Sequence, residues 1–343
     1  MKPAVQDSSQ DEAFSTPKER SKKIHLEKII SPIPVPYYLG WPLFAVAFLL
    51  ISYLILMLFE KSFLHIDAFL ITSAIIALEG TAISWAHSRL ESFENILIDI
   101  VDLPKQVIIK SYNEQKADIF NDKKMIIFTI IFIAVVHASG VDYHTISFNS
   151  SISDVIFEIG YYFAVYIEGI GLYVMAMTAQ TIHKIGALSM QVNALYSDFH
   201  AMGVLYLKFT ILAASVYLIW GFFYIIVPPQ ITPLQIILWF LAFAVLLFAY
   251  FILPQYSIHQ MMASTKKEKM EMFSSQLRAA LDESAGSPSG ESALHIKDML
   301  LVQNSLDQIS EWPFGIYEVL YVTIIIIVPL IVVLLEAKLG IIK

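Results

Sequence analysis

Seven stretches of this chain are apolar for close to the length a helix needs to cross a bilayer, roughly 17 to 25 residues. They are Trp41–Phe59, Ala68–His87, Met125–Ser139, Val155–Thr178, Tyr206–Val227, Leu234–Leu253 and Phe314–Leu335, the third being the shortest. A hydrophobic content of 57% and only 15% charged residues place the chain outside the range of soluble globular proteins. The expected fold class is all-α: a polytopic, multi-pass protein of the cell membrane with seven transmembrane helices and the lipid bilayer as its first partner.

Basic residues set the expected orientation, because cytoplasmic loops carry the excess of Lys and Arg. With the N-terminus inside, 22 Lys and Arg divide so that only Lys61, Lys338 and Lys343 fall outside. The expectation is a cytosolic N-terminus and an external C-terminus. That is the reverse of a G-protein-coupled receptor or a microbial rhodopsin, and the last span has no internal lysine for a retinal Schiff base.

Four segments follow. Residues 1–39 form a polar cytosolic N-terminal segment without a cleavable leader, its first 23 residues reading as disordered. Residues 40–253 hold six spans and their loops. Residues 254–311 read as a cytosolic helical hairpin: Met262, Met270, Phe273, Leu277 and Leu281 recur at helical spacing, DESAGSPSGES turns the chain, and Ile296, Met299, Leu306 and Ile309 mark a second amphipathic helix. Residues 312–343 are the last span and a short external tail. The fourth span continues past the membrane through His183, Ile185 and Leu188.

The candidate functional residues are acids inside the spans. An ionised side chain at the bilayer centre costs about 2.5 to 3.5 kcal/mol on insertion scales, so it points inward and finds a partner. Glu79 lies on a small and hydroxylic face with Ser73, Ala77, Gly80 and Ser84. Glu168 shares a stripe with Gly160, Ala164 and Gly171, the small residues of a close helix contact. Glu158 shares one with Tyr162, Tyr166, Gly169 and Tyr173, phenols that bond a carboxyl or line a cavity. No Lys or Arg lies in the interior of any span, Arg89 and Lys208 sitting at cytosolic ends, so these acids either carry a proton, bond to hydroxyls and imidazoles, or face water and attract cations. Glu158, Tyr162 and Tyr166 form the candidate ligand site; Glu79 and Glu168 are the intramembrane acids. Glu318 and Glu336, near the two ends of the last span, read as interfacial.

Other chemistry is poorly represented. The chain has no cysteine, and its nine histidines form no HExxH or paired metal boxes, so no metal or cofactor is expected. Ser139-Gly140 lacks the Gly-x-Ser-Gly frame of an intramembrane serine protease, and no aspartyl GxGD pair or Walker A lysine occurs, which argues against an enzyme. No basic stripe interleaved with aromatics points to nucleic acid.

Two resemblances add to this reading. LPQYSIHQMMASTKKEKMEMF through EWPFGIYEVLYVTIIIIVPL resembles a family of uncharacterised archaeal and bacterial polytopic proteins. Pro254, the Ile258-His259 pair, a Lys-rich helix and Glu311-Trp312-Pro313-Phe314 entering the last span carry it; it covers about a quarter of the chain and implies no chemistry. The topology is similar to that of the seven-helix insect odorant and gustatory receptor-type ion channels, with their cytosolic N-terminus, extended fourth helix and cytosolic helical region before the last helix. That resemblance implies a homo-tetramer with the last helix lining a central pore. Thr323, Ile327, Pro329 and Glu336 are then the candidate pore-lining residues, although LYVTIIIIVPLIVVLLE has no Thr-Tyr pair followed by Gln-Phe, as the insect helix does. A ring of Ile and Val from several subunits would gate by dewetting.

The leading expectation is therefore an oligomeric channel or ligand-gated receptor for a small molecule or cation. The alternatives are a proton- or cation-coupled transporter using Glu79 and Glu168, and a membrane scaffold without transport.

Overall fold

The computed structural model describes residues 24–59, 66–139, 151–185, 188, 198–226, 233–286, 290–312 and 315–339. Among these residues the secondary structure is helical: α1 (His25–Ile30), α2 (Tyr37–Phe59), α3 (Ile66–Ile100), α4 (Lys105–Ile119), α5 (Asp122–Ala138), α6 (Ile152–Ile185), α7 (Asp198–Ile226), α8 (Pro233–Gly286), α9 (Gly290–Asp307) and α10 (Ile316–Leu339). The disordered start read for residues 1–23, and the loop through Asp142 to His144, lie outside the described residues.

Five helices are long and apolar enough to cross a membrane: α2, α3, α6, Met202–Tyr224 of α7 and Ile237–Glu283 of α8. Two of the seven runs stand apart by length. α5 has 17 residues, and the apolar described part of α10 is Val319–Val328. Several helices outrun a bilayer. At 1.5 Å per residue the 35 residues of α3 reach roughly 52 Å and the 54 of α8 roughly 80 Å, against a hydrocarbon core of about 30 Å.

The surface supports the same location. Leu43, Val46, Leu50 and Leu54 form an exposed ridge on α2, and Ile127, Ile130 and Ile131 do so on α5. Apolar ridges of this extent are incompatible with water and compatible with lipid.

α3 is the central helix. Its buried positions recur every three or four residues, from Phe69 and Thr72 through Ile76, Glu79, Ile83 and Leu90 to Leu97, so one face packs along its whole length. α2, α6 and α7 pack on it; α8 crosses α6 and α7, and α10 lies against α7 and α8 through Val322 and Ile326.

Small residues let the helices approach. A Cβ on Gly80 would lie 2.2 Å from the ring of Trp41, which is fully buried and donates its indole N–H to Ser84 Oγ at 3.0 Å. A Cβ on Gly169 would stand 3.2 Å from the Thr129 backbone, so this glycine sets the α5–α6 contact.

α8 runs unbroken through Pro254, where the sequence places the end of the sixth span. Proline offers no N–H to the carbonyl four residues back, which is that of Tyr250. The buried Tyr206 hydroxyl donates to that carbonyl at 2.6 Å, so α7 supplies the bond that α8 cannot.

Beyond Pro254, α9 packs back along the distal part of α8. Lys266 Nζ donates to the carbonyls of Asp307 and Ile309 at 2.9 and 3.0 Å, closing the end of α9. His259 stacks on Trp312, ring centroids 4.1 Å apart, and its Nδ1 lies 2.8 Å from the Glu311 carbonyl.

At the other end of α3, the Tyr112 hydroxyl of α4 donates to the Leu90 carbonyl. Burial, with Glu94 and Glu91 adding to it, pushes that hydroxyl up from its ordinary value and keeps it a donor.

Candidate functional site

The intramembrane acids separate into two surroundings. Glu158 is 6% exposed near the start of α6, but the two tyrosines that share its stripe reach different neighbours. The Tyr162 hydroxyl lies 3.4 Å from His137 Nδ1 on α5, whereas that of Tyr166 lies 2.6 Å from His25 Nε2 on α1. The structure does not bring these three residues together around one of the cavities described below.

His25 instead links Tyr166 to an acid. Its Nδ1 is 3.0 Å from Asp122 Oδ1, and its backbone N–H donates to the same oxygen at 3.2 Å. An ionised carboxylate only accepts, so Nδ1 carries the hydrogen that Asp122 receives, and Nε2 meets the Tyr166 hydroxyl, which can donate or accept. Burial pushes the Asp122 carboxyl up, but the His25 hydrogen bonds, aided by charge from His25 and Lys28, outweigh it and hold the group below the usual carboxylate range. Two residues further on, Glu27 Oε1 meets His87 Nδ1 at 2.9 Å, with the His87 ring edge-on to Phe120. His25 and His87 thus take part in clasps between the N-terminal segment and the bundle. The sequence signal was HLE at 25–27, a histidine and an acid two apart, whose partners lie 97 and 60 residues away.

Glu79 and Glu168 do converge. Both line a cavity of about 90 Å³ bounded by α3, α6, α7 and α8, with room for several waters. Glu79 is 2% exposed; its Oε1 accepts from the Trp220 indole N–H at 2.8 Å. Its Oε2 is buried with no hydrogen-bond partner among the described residues.

Glu168 keeps part of its surface open and also lines a second, smaller cavity. Aromatic rings dominate that one, among them Tyr161, Trp220, Tyr224, Trp239 and Phe240. Tyr161 meets Trp220 edge-on at 6.0 Å, and Tyr224 meets Phe240 edge-on at 5.9 Å, which fixes the cage.

Neither lining contains Lys or Arg. A carboxylate placed so deep without a counter-cation has two ways to lose its cost, a proton or a cation from outside the protein. Among the described residues no three His, Asp or Glu side chains converge as metal ligands.

Of the candidate pore residues, Thr323 is half-buried and its hydroxyl donates to the Val319 carbonyl of its own helix at 2.7 Å. Ile327 is 43% exposed on the outer face of α10. Pro329 and Glu336 lie in α10, with side chains outside the described residues.

The chain matches no protein-family model, no curated protein and no solved structure.

Proposed function

We propose that this chain is a proton- or cation-coupled membrane transporter in which Glu79 and Glu168 carry the charge. One observation supports this above all: two intramembrane acids face a single cavity with no basic residue in its lining, and one of them keeps a carboxylate oxygen buried and unpartnered. A structural acid would have its lone pairs satisfied, as Glu79 Oε1 has by Trp220. The reading uses all seven apolar runs as spans, α5 and α10 included, with the N-terminus cytosolic, the C-terminus outside and α8–α9 as a cytosolic hairpin. The test is a pH-gradient flux assay in proteoliposomes. Glu168→Gln is expected to abolish coupled flux while the protein stays folded; undiminished flux counts against the proposal.

A second reading, an oligomeric channel with α10 lining a pore between subunits, is favoured by the exposed face of α10 at Leu320, Ile324, Ile327 and Ile331. Those residues would form an apolar gate in a tetramer, and lipid covers them equally well in a monomer. A symmetric tetramer with α10 on its axis in single-particle images would favour the channel; a stable monomer would remove its pore.

A further inference from the structure

Resting on the transport reading of the same site, we propose that the substrate or coupling ligand is a small alkylammonium amphiphile, its nitrogen held by Glu168 within the aromatic cage and its alkyl chain lying in the larger cavity toward Glu79.

The sign of the charge follows from the lining. Two carboxylates and no Lys or Arg make the pair of cavities attractive only to a cation or to protons. The kind of cation follows from the remaining groups. A hard metal ion asks for about six oxygen ligands, whereas the smaller cavity offers Glu168 among rings of Tyr161, Trp220, Tyr224 and Trp239. Aromatic faces replace the hydration of an organic ammonium through cation–π attraction and do so poorly for a metal ion.

The shape gives the rest of the ligand. Glu168, Tyr217 and Phe243 line both cavities, so a molecule at Glu168 touches the two at once. The larger cavity is mostly aliphatic, with Leu212, Ala213, Val216 and Leu247 in its wall. At about 90 Å³ it takes an alkyl chain of about four carbons. Leu246 of its lining is 48% exposed on a helix apolar enough to span the membrane, so lipid would border this wall of the cavity. Glu79 Oε2, buried and unpartnered, is the group that a proton would satisfy, so Glu79 is neutral beside the alkyl chain and Glu168 carries the charge that holds the nitrogen.

The experiment is calorimetric titration of n-butylammonium and of 1-butanol into the purified protein in nanodiscs, with empty nanodiscs subtracted. The ammonium is expected to bind about tenfold or more tightly than the alcohol. Glu168→Gln should weaken the ammonium by a similar factor and leave 1-butanol unchanged, which also shows that the variant is folded. Ala213→Phe, which fills the larger cavity, should weaken both. Equal binding of alcohol and ammonium, or full ammonium binding by Glu168→Gln, overturns the proposal. Absence of ammonium binding beside Glu168-dependent proton flux refutes the ligand class alone. Ammonium binding as expected beside flux indifferent to Glu168→Gln refutes transport and leaves the ligand site standing.

Discussion

Replacing Tyr206 by Phe tests how α8 passes through a proline. The Tyr250 carbonyl has no N–H at Pro254, and Tyr206 donates to it at 2.6 Å from a buried site. Removing the hydroxyl keeps the ring and its packing but strands a buried carbonyl, at a cost of about 1–3 kcal/mol. Pro254→Ala returns an N–H to the same carbonyl, so in that background Tyr206→Phe should cost much less. The double-mutant cycle should therefore show coupling of about 1 kcal/mol or more. The assay is unfolding of the four proteins in mixed micelles by sodium dodecyl sulfate, followed by circular dichroism. An equal cost of Tyr206→Phe with and without Pro254 would refute the reasoning, since the hydroxyl would then be stabilising something other than the freed carbonyl.

Other outcomes follow from the same geometry. Gly80→Val should destabilise the protein by about 1–3 kcal/mol, because its first side-chain atom falls on the Trp41 ring; loss of thermal stability in detergent measures it. The Asp122 carboxyl is held below its ordinary value, so its contribution to docking α1 is present above the unfolded value of about 3.9 and is lost as pH falls through the lower folded value. Hydrogen exchange at residues 25–30 should accordingly rise at strongly acidic pH, and Asp122→Asn should show raised exchange already at neutral pH. Trp220→Phe removes the donor to Glu79 Oε1 and should alter the pH profile of flux more than Trp239→Phe, which leaves that bond intact.

Much of the architecture was written in local patterns. Apolar runs marked α2, α3, α6, α7 and the membrane part of α8, because lipid demands a continuous run within one segment. Glu79 and Glu168 stood out for the same reason, being acids within such runs. What was not legible depends on partners far apart in sequence. Trp220 and Glu79 are separated by 141 residues, and no local pattern around Trp220 points to that partner. Helical spacing alone placed Glu158, Tyr162 and Tyr166 on one stripe, yet the long phenols reach His137 and His25 on different helices. The continuity of α8 through Pro254 was not legible either, since the hydroxyl that replaces the missing N–H lies on α7.

The most direct test of the account is the current evoked by a pH jump on a solid-supported membrane carrying the protein, compared with the Glu79→Gln/Glu168→Gln variant. The account predicts a transient charge movement in the wild type that vanishes in the folded double variant. An identical current from both would contradict it, since the two acids would then carry no charge across the membrane.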